Sequence, residues 1–320
     1  MRERTGHPEA LPLNSDTMRR SSRVAGPEGS PWIGAQGLFW ALVVAVGLGA
    51  VTSLQARQGP LQSSPEAAGP VERLTLIDAQ GLFYNAQYEA AAALALALRS
   101  SEMQDLANDE LRTSALLFQL KALLARQDDK GADREKTLRA CATCPELMAA
   151  FFDDIRHGQN LARAMLQANP GDETALFFLG KLDLNYVWLQ LGPLGRKTGW
   201  DEYWEARRSL DAVLKKHPRH VRALVARAWI DYIVDTKMPW GTRWLLGGGS
   251  KKRALIAVRD ATQIESEFFA HVEAEFGLWD MRVRERDMMQ ATEVARRLAR
   301  VFPDNPELAS FLEAREASDR

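Results

Sequence analysis

The chain has 320 residues, with 41 Lys and Arg against 42 Asp and Glu, so its formal net charge is −1. With 46% hydrophobic residues and two cysteines, it is neither a disordered chain nor a disulfide scaffold, and it is long enough to bury a core. The balanced charge argues against a nucleic-acid protein, which shows a basic excess.

Residues Leu38 to Leu54 form seventeen consecutive uncharged positions, and the uncharged stretch reaches back to Gly29, so about 20 residues are available to span a bilayer. Arg19, Arg20 and Arg23 precede it, while only Arg57 follows before Arg73. The positive-inside rule predicts a cytoplasmic N-terminus and an extracytoplasmic remainder. Two forms are open: an uncleaved signal anchor, or a long signal peptide cut near Ser53 or Ala56. Met18 is an alternative start for such a signal. The expected organisation is a basic cytoplasmic tail (1–32), a transmembrane or signal-anchor segment (33–56), a linker (57–72) and a helical repeat domain (73–320). The linker reading rests on three Pro, two Gly and two Ser within residues 57–71, a composition that sustains neither helix nor ladder.

From residue 73 onward, Ala, Leu, Arg and Glu dominate and the apolar spacing is helical. Asn169-Pro170-Gly171-Asp172, His217-Pro218-Arg219-His220 and Phe302-Pro303-Asp304-Asn305 each close one predicted helix and open another. A further break is expected near Gln263 to Ser266, and an insertion at about 191–200. Helix pairs recurring at such intervals predict an all-α repeat array of about six pairs.

Cys141-Ala142-Thr143-Cys144 is the single cysteine pair. It is open to a disulfide, a redox couple or half of a metal site, with the disulfide favoured by an extracytoplasmic location. No second His or Cys accompanies His157 to complete a zinc site, and no metal or cofactor is expected. His157 with Asp153 and Asp154 lacks a nucleophile motif, so no catalytic set is expected. Gly247-Gly248-Gly249-Ser250-Lys251 departs from a phosphate loop because Ser precedes Lys; Ser250 is instead predicted to cap the next helix.

Six of nine Trp and three of five Tyr lie between residues 186 and 244. Such rings, with polar tips and large apolar faces, either fill wide helix–helix gaps or line a binding surface. The candidate surface comprises Tyr186, Trp188, Trp200, Tyr203, Trp204, Trp229, Tyr232, Trp240 and Trp244, with Arg227, Asp231 and Arg243 as its charged members.

The pattern resembles the tetratricopeptide repeat family. Leu278 and Ala291 before Pro303, Leu179-Gly180 and Ala206 before Pro218, and the turn Asn85-Ala86-Gln87-Tyr88-Glu89-Ala90-Ala91 fall where that family places its large, small and turn residues. The spacing exceeds the family's 34 residues, and Trp279 stands where a small residue is usual. Trp244-Leu245-Leu246-Gly247-Gly248-Gly249-Ser250-Lys251-Lys252-Arg253-Ala254 also resembles a loop of the T-component proteins of tripartite ATP-independent periplasmic transporters, although the Cys that anchors many of those proteins to lipid is missing here. These resemblances imply an α-solenoid with a concave surface and a non-catalytic scaffold or adaptor role. That surface would take a protein or peptide partner. The alternative is a small-molecule-binding accessory subunit of a periplasmic transport system, in which Arg227 or Arg243 pairs a carboxylate. Membrane contact would run through the N-terminal segment, with no nucleic-acid partner.

Overall fold

The computed structural model describes residues 74–99, 102–127 and 134–318, and these are helical without strands. The expected tail, membrane segment and linker lie outside the described residues. Among the described residues no helix is long and apolar enough to cross a membrane. The helices run in chain order as α1 (Leu76–Tyr84), α2 (Tyr88–Ala97), α3 (Glu102–Gln127), α4 (Arg134–Ala140), α5 (Cys144–Ala168), α6 (Glu173–Leu191) and α7 (Trp200–Lys216). They continue with α8 (Val221–Lys237), the single-turn α9 (Trp240–Arg243), α10 (Lys251–Ala261), α11 (Phe268–Arg284), α12 (Met288–Val301) and α13 (Pro306–Ser318).

Three of the connections share one chemistry. In each Pro-containing turn the last residue's N–H donates to the carbonyl three positions back: Asp172 to Asn169, His220 to His217, Asn305 to Phe302, at 2.9, 3.0 and 3.2 Å. Pro at the second position presets φ for that turn. That same last residue then caps the next helix. Asp172 Oδ1 accepts from Ala175 N at 2.8 Å, His220 Nδ1 from Ala223 N at 3.2 Å, and Asn305 Oδ1 from Leu308 N at 3.0 Å. A second turn type also recurs. Ala86 and Arg286 take positive φ, 58° and 60°. Around them the N–H groups of 85, 86 and 87 bond to the carbonyls of 81, 83 and 82, and those of 285, 286 and 287 to 281, 283 and 282.

These short turns fold consecutive helices back on one another. The helices pack as α1/α2, α3/α5, α6/α7, α8/α10 and α11/α12, with α13 against α12. Five pairs and a terminal helix stand against the about six pairs expected, with α3 and α5 long helices of 26 and 25 residues. The small residues singled out in the sequence sit at close approaches: a Cβ on Gly180 would lie 2.9 Å from Leu210 Cγ and 3.3 Å from the Ala206 carbonyl. Ala206 and Ala291 are fully buried. Cys141 and Cys144 form a disulfide across the α4–α5 turn.

The array closes on itself. Asn305 Nδ2 donates to the Tyr84 carbonyl and Tyr88 Oη to Glu307 Oε1, both at 2.7 Å. The Tyr84 ring stacks on Phe269 and Phe276 with centroids 5.7 and 5.2 Å away. Inside the closure four helices contribute one charge each. Lys181 (α6) lies 3.3 Å from Glu110 (α3) and 2.6 Å from Glu273 (α11), while Arg222 (α8) lies 2.8 Å from Glu110 and 2.5 Å from Glu273. Each cation bridges both carboxylates. Burial alone would raise the Glu273 carboxyl, but Arg222 and Lys181 override it and hold it down to about 2.

Candidate functional site

The structure divides the predicted aromatic surface into an inner and an outer group. The inner rings pack between helices. Trp188 meets Trp229 edge to face at 6.0 Å, and Trp229 meets Tyr232 at 5.5 Å. Tyr203 and Trp204 pack edge to face at 5.3 Å, and Tyr186 lies edge-on to Phe152 at 6.0 Å. Tyr203 and Tyr232 are buried and place their polar tips internally: Tyr203 Oη donates to the Leu246 carbonyl and Tyr232 Oη to Glu285, both at 2.8 Å. Burial, then the Glu285 partner, pushes the Tyr232 hydroxyl well above its ordinary range. Among these rings a crevice lined by Leu184, Val187, Trp188, Trp200, Tyr203 and Ile230 holds about 20 Å³. That is room for one water.

The charged members of the predicted surface are used within the protein. Arg227 lies 2.7 Å from both Asp211 and Asp231, and Arg243 Nη1 lies 2.5 Å from Asp235. An aspartate four positions on from Arg227 on one helix face supplies its own counter-ion. The outer group is different: Trp240 and Trp244 are 86% and 73% exposed, and Trp200 is 42% exposed.

Ser250 Oγ accepts from Arg253 N at 3.3 Å, capping α10. Gly247 and Gly248 hold consecutive positive φ values of 78° and 73°, and a Cβ on Gly249 would sit 2.5 Å from the Asp231 carbonyl oxygen. The glycine run is a tight turn against α8. His157 turns Nδ1 toward the buried Asp109, 2.7 Å from Oδ2, while Asp153 pairs with Arg156 and Asp154 with Arg99 and Arg112. Among the described residues no cluster of His, Cys, Asp and Glu could hold a metal ion.

A larger recess lies away from the aromatic window. Helices α1 and α2 meet the start of α11 and the end of α12 around a groove of about 880 Å³, bounded by Leu74, Ile77, Leu94, Phe268, Phe269 and Val301. Leu74, Ile77, Phe268 and Val301 stand exposed on it. The alanines of α2, Ala90, Ala93 and Ala97, leave the space, and Asn85 Oδ1, also at the groove, is buried without a hydrogen-bond partner among the described residues. The alanine run was the available signal; its distant partners, Phe268 and Val301, were not visible from it. Comparison with known proteins finds no matching family model, no matching curated protein and no matching solved structure.

Proposed function

We propose that the chain is a non-catalytic tetratricopeptide-like repeat scaffold, an α-solenoid held on the extracytoplasmic side of a membrane by residues 33–56. The recurring helix pairs, with their repeated Pro turns and small residues at close approaches, support the repeat reading. The observation that carries the interaction role is the apolar groove between the first and last pairs, about 880 Å³ with exposed Leu74, Ile77, Phe268 and Val301. Exposed apolar surface of this kind marks binding sites, and a helix laid in a groove is a common mode. The occupant is an apolar segment of a partner protein. A photo-crosslinking residue at Ala93 of the full chain, activated in cells, should join it to one protein species. Crosslinking to lipid or small molecules alone would refute the scaffold.

A second reading is the small-molecule accessory subunit of a transport system, favoured by the mainly apolar lining of the groove with the polar Asn85 among it. Native mass spectrometry of the purified chain should then show a bound adduct that Ala93→Trp removes. A mass equal to the bare chain would count against it.

A further inference from the structure

Trp240 opens α9 and Trp244 directly follows its last residue, four positions on, with Leu245 next at 56% exposure. Large rings left in water are uncommon without a covering surface. The segment that carries them is firmly placed. Arg207 Nη1 donates to the Leu246 carbonyl at 3.0 Å and Nη2 to that of Gly247 at 3.1 Å. Arg243 Nε donates to the Met238 carbonyl at 3.1 Å, and Gly248 N to the Arg243 carbonyl at 2.8 Å. With Leu246 buried at its foot, the loop holds its tryptophans outward.

Its charge is equally one-sided. Residues 236–259 contain six Lys and Arg and no Asp or Glu, in a chain of net charge −1. Arg243 and Lys251 are paired with Asp235 and Glu285, whereas Lys252 and Arg253 are exposed. Trp is the residue type that sits between apolar and wet layers at a bilayer surface, and adjacent cations suit anionic headgroups. The position of the chain's other apolar segment agrees. The described residues begin at Leu74 and the uncharged run ends at Ala56, so the 17 intervening residues reach at most about 60 Å. A membrane holding residues 38–54 is within range of the folded array.

We propose that Trp240, Trp244 and Leu245 insert into the interfacial layer of an anionic bilayer while Lys252 and Arg253 rest on its phosphates. The proposal rests on the reading that residues 33–56 tether the chain, and it adds a second membrane contact from within the folded domain. The loop would fix which side of the array faces the bilayer.

The test uses the full chain carrying Gly241→Cys, where an added Cβ meets no atom within 4 Å. Cys141 and Cys144 are joined, so an environment-sensitive fluorophore attaches at this position alone. With vesicles of phosphatidylcholine and phosphatidylglycerol, the label should shift to the blue and be quenched by shallow nitroxide lipids. Trp240→Ser/Trp244→Ser and, separately, Lys252→Glu/Arg253→Glu should abolish both effects. Flotation of the same samples reports the tether. A chain that floats with a water-like, unquenched label overturns the loop contact and leaves the tether standing. Quenching without flotation overturns the tether and supports the contact. Neither signal overturns both. A blue shift that grows with protein concentration in lipid-free detergent assigns the patch to a second copy and overturns the proposal.

Discussion

Replacing Asp183 by Asn isolates one buried proton. The Asp183 side chain is fully buried on α6; Oδ1 accepts from Gln159 Nε2 at 2.7 Å, and Oδ2 has no hydrogen-bond partner among the described residues. Burial, then the nearby Glu205 carboxylate, pushes the carboxyl up to about 8, against the opposing Gln159 hydrogen bond and Arg163 charge. An unfolded aspartic acid gives up its proton near pH 4. The folded chain therefore keeps a proton that the unfolded chain releases. The stabilising effect is complete below about pH 4 and is lost as pH rises toward 8. Within that window stability falls as pH rises, by on the order of 1 kcal/mol per pH unit, so a loss of roughly 2–3 kcal/mol is expected between pH 5 and pH 7. The amide keeps the volume and the acceptor for Gln159 but cannot ionise. Urea unfolding of the full chain and of Asp183→Asn, followed by circular dichroism at pH 5, 6 and 7, should show the wild type losing about that much stability relative to the variant. A wild-type-minus-variant difference that stays level across the range would refute the buried-proton argument.

Three further perturbations follow from the packing. Arg222→Met leaves Glu110 and Glu273 sharing Lys181 alone and should lower unfolding free energy by about 3–5 kcal/mol. Pairing it with Glu273→Leu should recover a substantial part, and failure to recover any would contradict the charge account. Gly249→Ala places a Cβ 2.5 Å from the Asp231 oxygen and 2.9 Å from Val234 Cβ; a loss of about 1–3 kcal/mol is expected in thermal melts. Cys141→Ser/Cys144→Ser opens a loop with a sequence separation of 3, for which loop-closure entropy gives a loss of about 2 kcal/mol, read by the same melts.

The turns were legible because their chemistry is local. Pro170, Pro218 and Pro303 each fix a turn whose cap lies two residues on, so the sequence alone places the break. The stop after Ala261 is read differently, by dividing the long Pro218–Pro303 spacing, and the gap between α6 and α7 by fitting the repeat register. What could not be read was azimuth and closure. Helical periodicity marks an apolar face but not which distant helix it meets, so nothing in the sequence joins Glu110, Lys181, Arg222 and Glu273. Within the aromatic window, spacing could not separate rings that fill inter-helix gaps from Trp240 and Trp244, held outward at the start of α9 and just past its end. Arg227 and Arg243 looked available to a ligand because the spacing does not show which carboxylates face them, whereas Asp211, Asp231 and Asp235 neutralise them directly.

The contact between the two ends of the array alters how it can come apart. In an open stack the terminal unit has one neighbour and frays first, and stability behaves as a sum along a line. Here Tyr84 and Tyr88 meet Asn305 and Glu307, so the first pair has neighbours on both sides. No unit can peel away at the cost of a single interface, which favours one cooperative transition over progressive fraying. Amide exchange in α2 should accordingly be as slow as in α8, although α2 belongs to the first helix pair and α8 to an inner one.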